Sequence, residues 1–287
     1  MILDADIKQQ LAQYLQLLES DVLLKVSVGS DNVSKDMQAL VDELAEMSSK
    51  IKVEYVQLER TPSFSINRIG EDSGITFAGI PLGHEFTSFV LALLQVSGRA
   101  PKVDQKLIDQ IKAIKGEYHF ETYVSLSCHN CPDVVQALNV MSVLNPGITH
   151  TMIDGAAFKE EVESKDIMAV PTAFLNGEVF GNGRMSLEEI LSKVGSAPDA
   201  SEFANKDSFD VLVIGGGPAG SSAAVYAARK GIRTGIVAER FGGQIMDTLG
   251  IENFISVKYT EGPKLAASLE EHVKEYNVDI MNLQRAK

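Results

Sequence analysis

Residues 1–195 carry one order of elements twice, and that repetition limits the fold more than any other feature of the chain. In the first pass a helix at about 4–20, with Ile7, Leu11, Leu15 and Leu18 on one face, precedes the apolar strand "VLLKVSV". A helix from about Ser34 follows, with Met37, Leu40, Val41 and Leu44 at helical spacing, and then the strand "IKVEYVQ". Thr61-Pro62, the strand-like "FSINRI" and "GITFAGI", and a helix carrying Phe86, Phe89, Val90, Leu93 and Leu94 complete the pass. The second pass runs through a helix at about 102–115, the strand "HFETYVSL", a helix after Cys131, the strand "ITHTMID" and a short helix near 156–165. It ends with Val170-Pro171, the hairpin-like "AFLNGEVFGNG" and a helix opened by Ser186, where Glu189 completes a capping-box arrangement. Both passes therefore read strand, helix, strand, X-Pro, two strands, helix, an α/β order.

Composition restricts what such a chain does. Its 287 residues have room for two domains or three small ones, and 45% hydrophobic content is that of an ordinary globular protein. The start "MILDADIKQQLAQYLQLL" lacks the basic region of an export signal, and "FVLALL" falls far short of the roughly 20 residues of a membrane span, so neither secretion nor a membrane is expected. A formal charge of -13 without any basic cluster disfavours nucleic acid as a partner. The chain has two cysteines, Cys128 and Cys131, too few for a disulfide scaffold. The pair points to redox or metal chemistry in a reducing compartment, for which the cytoplasm is the expectation.

A thiolate attacks and a thiol does not, so a redox cysteine needs a lowered pKa, and a helix N-terminus supplies partial positive charge and free N–H groups. Cys128, at the end of a strand and just before a helix, is placed to receive both. Cys131 begins the helix, near enough to close a disulfide once Cys128 has reacted, and Pro132 suits a first helical turn. This assigns Cys128 as the attacking thiol and Cys131 as the resolving one. The alternatives are a zinc site, which wants four ligands although His129 and His150 lack finger-like spacing, or two inert buried thiols.

The twofold order resembles a tandem of thioredoxin folds. The resemblance is specific in the second pass, where Val170-Pro171 stands at the place of the cis-proline that faces the dithiol in thioredoxin-like proteins. It implies a role for Pro171 in exchange. In the first pass "GSDNVSK" occupies the dithiol position, so that half resembles a thioredoxin fold without its thiols.

Residues 196–207, "SAPDASEFANKD", are small and polar and read as a linker. The expected organisation is thus a thiol-less thioredoxin-like fold over 1–100, a dithiol-bearing one over 101–195, the linker, and a further domain begun at 208 and still incomplete at 287. In that last region Gly215-x-Gly217-x-x-Gly220 follows an apolar strand and opens an Ala-rich helix, the context of a dinucleotide site. Gly215 permits the tight turn, Gly217 admits a pyrophosphate to the backbone, and Gly220 lets helix and strand pack. Glu239, 22 residues after Gly217, is placed to accept the ribose hydroxyls and disfavours a 2′-phosphate. The pattern alone does not separate FAD from NAD.

"VIGGGPAGSSAAVYAARKG", which contains Pro218 and Ala219, followed by "ERFGGQIMDTLGIENF", resembles the first FAD-binding segment of thioredoxin-reductase-type flavoproteins. That resemblance implies flavin contacts from Gly242, Gly243, Gln244 and Asn253. With "FAGIPLGHEFTSFVLALL", "SLSCHNCPDVVQALN" and "IENFISV", the whole chain resembles the flavoprotein subunit of alkyl hydroperoxide reductase. In that family electrons pass from NADH to FAD, to a core dithiol, to the N-terminal dithiol and then to a peroxiredoxin. The resemblance implies that Cys128 and Cys131 are the outlet, that Glu85 of "GHEF" takes part in proton handling, and that the complete protein is a homodimer. The family's second Cys pair, NADH segment and closing FAD segment are not in these 287 residues, so NADH oxidation is not expected of them alone. Two competing readings are a free-standing glutaredoxin-like disulfide oxidoreductase and a peroxiredoxin-docking module.

Overall fold

The structure, a computed structural model, describes residue 3 and residues 5–194 and 207–282. The chain divides into two compact units, Met1–Leu187 and Glu188–Lys287. The linker expected at 196–207 lies, apart from residue 207, outside the described residues.

The first unit is built on one eight-stranded sheet. Strands β1 (Val22–Ser27), β2 (Ile51–Tyr55), β3 (Ser63–Arg68) and β4 (Glu71–Ala78) come from the first pass. Strands β5 (Tyr118–Val124), β6 (Ile148–Asp154), β7 (Thr172–Leu175) and β8 (Glu178–Asn182) come from the second. Their spatial order is β2-β1-β3-β4-β6-β5-β7-β8. The two thioredoxin-like sheets expected over 1–100 and 101–195 are therefore fused where β4 pairs with β6 in parallel, from Ile75 opposite His150 to Ala78 opposite Ile153. Each half loses an open edge by this pairing, which removes a site for unwanted strand addition.

Local sequence explains the elements around the sheet. Helix α2 (Asn32–Met47) buries Met37, Leu40, Val41 and Leu44, and Asp31 caps it by accepting from the Ser34 N–H at 2.9 Å. Helix α1 (Ala5–Leu15) stops short of residue 20 because a turn follows, with the Leu17 N–H donating to the Tyr14 carbonyl at 2.9 Å. Helix α3 (Phe86–Val96) is apolar on most of its surface, since it packs against α1, the sheet and α5 (Cys131–Leu144). Phe64, Phe77 and Phe89 meet at ring-centroid distances of 5.6–5.9 Å. Val124, Cys131, Val135 and Met152 of the second pass belong to that same cluster. The two passes thus share a core as well as a sheet. The β7–β8 turn, Asn176-Gly177, has φ of 50° and 86°, the double positive φ that an Asn-Gly hairpin supplies. Helices α4 (Gln105–Ala113), α6 (Lys159–Ser164) and α7 (Leu187–Val194) complete the second pass, and Thr61–Pro62 and Val170–Pro171 are both cis.

A polar clamp also joins the halves. Arg60 of the first pass donates through Nε to both Glu161 oxygens at 3.0 Å and through Nη2 to Glu121. Glu121 lies on β5 and Glu161 on α6. Planar guanidinium matches two carboxylates at once, which lysine does not.

In the second unit β9 (Val211–Ile214), β10 (Thr234–Val237) and β11 (Asp279–Met281) form a parallel sheet in the order β11-β10-β9. The expected strand in "VDIMNL" is β11. The helices Pro218–Ala228 and Gly262–Lys274 pack on each other, with Ala224, Val225, Ile236, Phe241 and Val273 in the core. This is the opening strand order of a doubly wound fold.

Replacing Arg60 with methionine leaves two carboxylates facing each other beneath its former position, only partly offset by Lys165 at 3.8 Å from Glu121. The expected loss is about 3 kcal/mol in urea unfolding of the full chain; an unmoved midpoint would show that the clamp contributes nothing.

Candidate active site

Strand β5 ends at Val124, four residues before Cys128, so the first cysteine sits in a short loop rather than on the strand end itself. Helix α5 begins at Cys131, with Pro132 in its first turn. Cys128 and Cys131 form a disulfide with Cα atoms 5.6 Å apart. Cys131 is fully buried and Cys128 is partly exposed, an order of access that makes Cys128 the sulfur a partner reaches first. The Cys128 Sγ lies 3.8 Å from the carbonyl oxygen of Val170, the residue bonded in cis to Pro171. The sequence-expected Cys128, Cys131 and Pro171 therefore converge on one face.

The thiol-less half supplies one wall of this site. A 3-10 turn, Gly83–Glu85, packs against α5 and leads into α3. Gly83 has φ of 58°, and a Cβ there would stand 2.5 Å from the Leu126 carbonyl oxygen, so only glycine allows this approach. The neighbouring His84 N–H donates to that carbonyl at 3.0 Å. The His84 ring meets the ring of His129, between the cysteines, with centroids 4.0 Å apart.

Glu85, carried by this turn, is fully buried, and neither carboxylate oxygen has a hydrogen-bond partner among the described residues. Burial raises its pKa from 4.5 to about 7; the Ser88 hydroxyl acts against that rise and the Asp133 carboxylate adds to it. Asp133 stands in the first turn of α5 and is ion-paired with Arg184, from the loop after β8. Burial raises the Asp133 pKa, and Arg184 opposes this. A carboxyl that changes state near neutrality, carried by a turn packed against the helix that starts at Cys131, is suited to taking and returning a proton.

The second unit brings its glycines together. Gly215 has φ of 104°, and a Cβ on Gly220 would overlap the Gly215 carbonyl, so these two glycines are required by the turn and by helix–strand packing. Gly217 heads the helix Pro218–Ala228 without a side-chain cap, leaving the helix N-terminus open to an anion, and a Cβ there would meet nothing nearer than 3.7 Å. The Gly242 N–H donates to the Gly216 carbonyl at 2.9 Å, which ties the Gly242-Gly243-Gln244 segment to the glycine turn. A concavity of about 470 Å³ is lined by Pro218, Ile245, Thr248, Asn253 and Phe254, among others. Ala219 is exposed in the first helical turn; Glu239 is exposed two residues beyond β10, and Gln244 lies in the following 3-10 turn. The donor set and the space fit a dinucleotide pyrophosphate.

Sequence reasoning missed His84, Asp133 and Arg184. Asp133 is the acid directly after Cys131-Pro132 and is visible as a first-turn carboxylate. No local pattern couples it to Arg184, which arrives from beyond the hairpin.

Comparison with known proteins adds two family matches. Residues 119–195 match the thioredoxin domain and residues 209–287 match the pyridine nucleotide-disulphide oxidoreductase family. A protein of Bacillus subtilis (strain 168) called NADH dehydrogenase is 78% identical over 287 residues, all of this chain and 56% of its own length. The F subunit of alkyl hydroperoxide reductase from Staphylococcus epidermidis (strain ATCC 35984 / DSM 28319 / BCRC 17069 / CCUG 31568 / BM 3577 / RP62A) is 62% identical over 285 residues, 99% of this chain and 56% of its own. The chain thus spans little more than half the length of these relatives. The crystal structure of the NTD_N/C domain of alkylhydroperoxide reductase AhpF from Enterococcus faecalis (V583) superposes with a TM-score of 0.61 at 31% identity, covering 67% of this chain and 100% of that one.

The buried Glu85 makes a pH-dependent stability difference measurable. Its folded pKa, about 7, exceeds the ordinary 4.5, so ionisation costs the fold progressively as pH rises from 4.5 through 7. Glu85→Gln removes that cost. It is expected to stabilise the chain by about 3 kcal/mol at pH 8 and to lose this advantage below pH ~4.5, read from urea midpoints across pH; a difference independent of pH would remove the carboxyl from this role.

Proposed function

Since this chain belongs to the AhpF family of alkyl hydroperoxide reductases, we propose that it carries the exchange dithiol of an NADH-dependent, FAD-containing disulfide reductase whose electrons go to a peroxiredoxin. The observation that carries this reading is the Cys128–Cys131 pair, a buried cysteine behind a partly exposed one at the start of α5 and opposite the Val170 carbonyl. The glycine segment of the same chain supports the cofactor: the open helix N-terminus at Gly217 would hold the pyrophosphate, Gly215 and Gly220 shape the turn, and Glu239 would take the ribose hydroxyls. Gly242, Gly243, Gln244 and Asn253 are the residues that would meet the ring system, and Asn253 lines the adjoining concavity. Bound FAD would supply two-electron transfer between a nicotinamide and a dithiol. NADH as the donor accords with the name of the Bacillus subtilis relative and with the acid at Glu239. A homodimeric complete protein in the cytoplasm belongs to the same reading, whose expected domain boundaries are 1–100, 101–195 and 208–287.

In the exchange itself the reduced Cys128 thiolate attacks one sulfur of the partner disulfide. A mixed disulfide forms as the partner's other sulfur leaves as a thiolate. Cys131 then gives up its proton, with Glu85 as the receiving carboxylate, and attacks the Cys128 sulfur. The second partner thiolate departs, the Cys128–Cys131 disulfide is restored, and the proton on Glu85 is returned to a departing thiolate. Two electrons have moved from this chain to the partner. Pro171 holds the Val170 carbonyl at the exchange sulfur.

The test mixes the pre-reduced chain with an oxidised peroxiredoxin. Wild type is expected to reduce it, Cys128→Ser to lose at least ~10³-fold in rate, and Cys131→Ser to accumulate a mixed disulfide. No reduction of the peroxiredoxin by wild type, together with rapid reduction of a glutathione-type disulfide, would favour the glutaredoxin-like reading instead.

A further inference from the structure

Met168 is 93% exposed, whereas Met37, Met141, Met152, Met185 and Met281 are each 5% exposed or less. Met47 and Met246 are partly covered. The exposure is imposed by the loop on either side. On one side Ile167 packs against the cluster of Ala78, Tyr123, Ile153 and Phe174, and its N–H donates to the Val162 carbonyl at 3.1 Å. On the other, the Ala169 carbonyl accepts from the Thr172 hydroxyl at 2.6 Å. Met168 is therefore held outward by an anchored segment. That segment ends at Val170, whose carbonyl is 3.8 Å from the Cys128 sulfur. Two residues span at most about 7 Å of backbone, so the exposed side chain of Met168 springs from the surface that surrounds the exchange site.

A polarisable apolar side chain presented beside a reactive sulfur is an adaptable contact for an incoming protein surface, and sulfoxide formation converts it to a polar one. We propose that Met168 is a peroxide-modified site whose oxidation weakens docking of protein disulfides at Cys128. This rests on the reading that the dithiol serves a protein disulfide. The oxidant is a hydroperoxide. Its O–O bond breaks as the Met168 sulfur takes the terminal oxygen, sulfur loses two electrons, and the hydroxyl proton passes to the remaining alkoxide, which leaves as the alcohol. Small disulfides reach Cys128 without covering Met168, so the effect is confined to protein substrates.

The experiment exposes the full chain, in its disulfide form so that both cysteines are protected, to hydrogen peroxide, and locates oxygen uptake by peptide mass mapping. The chain is then reduced with dithiothreitol, which leaves sulfoxide in place, and assayed against an oxidised peroxiredoxin, insulin and a small aromatic disulfide. Met168 is expected to gain oxygen ahead of every other described methionine. The ratio of protein-disulfide to small-disulfide rate is expected to fall roughly 10-fold. Met168→Gln should show the lowered ratio without peroxide, and Met168→Leu, compared with itself before treatment, should show no peroxide-dependent fall. Uptake elsewhere first, or an equal fall in Met168→Leu, would overturn the proposal. If the untreated chain reduces insulin but leaves the peroxiredoxin oxidised, the proposed partner fails while the insulin ratio still decides the role of Met168; failure on both proteins ends both.

Discussion

The pairing of β4 with β6 is the constraint on which the rest of the first unit depends. Two thioredoxin-like sheets joined at those strands must bring α3 of one half against α5 of the other, and the phenylalanine cluster of the first half then shares a core with Cys131. The half without thiols is consequently part of the dithiol site. Its turn at Gly83 lies on the Leu126 carbonyl, and its Glu85 is sealed beside the helix that starts at Cys131. A single thioredoxin fold would have to find such a carboxyl within itself; the fused sheet lets the second fold borrow one.

Borrowing has an energetic consequence. An ionised carboxylate without hydrogen-bond partners is expensive in a dry interior, so the group meets burial by holding its proton to higher pH. Glu85 does so, and Asp133 adds like charge from α5. The ion pair of Arg184 with Asp133 limits that addition. The cost places a group that changes state near neutral pH against the helix that starts at Cys131, while the Arg60 clamp and the common core hold the two halves in register.

Much of this fold was legible in the sequence because its signals are local. Periods of 2 and 3.6 residues mark the strands and helices, Asn176-Gly177 marks the hairpin, and the glycines after β9 mark the strand-to-helix turn. The dithiol and its X-Pro neighbour were legible for the same reason, together with the family resemblance. The β4–β6 pairing was not, since nothing in "GITFAGI" or "ITHTMID" names its partner across 75 residues. Glu85 reads locally as a solvated helix-start acid, and only the packing of the other half buries it. Met168 shows the opposite case: it is apolar, yet Ile167 takes the inward contact and the Ala169 carbonyl is held by the Thr172 hydroxyl, which leaves the methionine outside. Exposure at single residues is a tertiary property that hydrophobicity does not encode.

Three helices in this chain follow a strand in the same way, and their N-termini are used differently. At α2 the Asp31 carboxylate accepts the Ser34 N–H, so the positive end of the helix is already satisfied by the chain itself, and Ser34 holds the Asp31 carboxyl below its ordinary range. At α5 the residue in the same place, Asn130, makes no side-chain capping bond, and the exchange loop with Cys128 lies directly before it. At the helix Pro218–Ala228 the cap is Gly217, which has no side chain to offer. A helix dipole whose orphan N–H groups are filled internally has little left for a thiolate or a phosphate; one left open stabilises either. The first half therefore lacks more than cysteines. Restoring sulfur at residues 29 and 32 alone would still leave Asp31 on the N–H groups and its negative charge beside any thiolate, which opposes the ionisation that exchange requires. The capping residue, as much as the thiol, separates the half whose helix N-terminus is open to a thiolate from the half whose helix N-terminus is already filled.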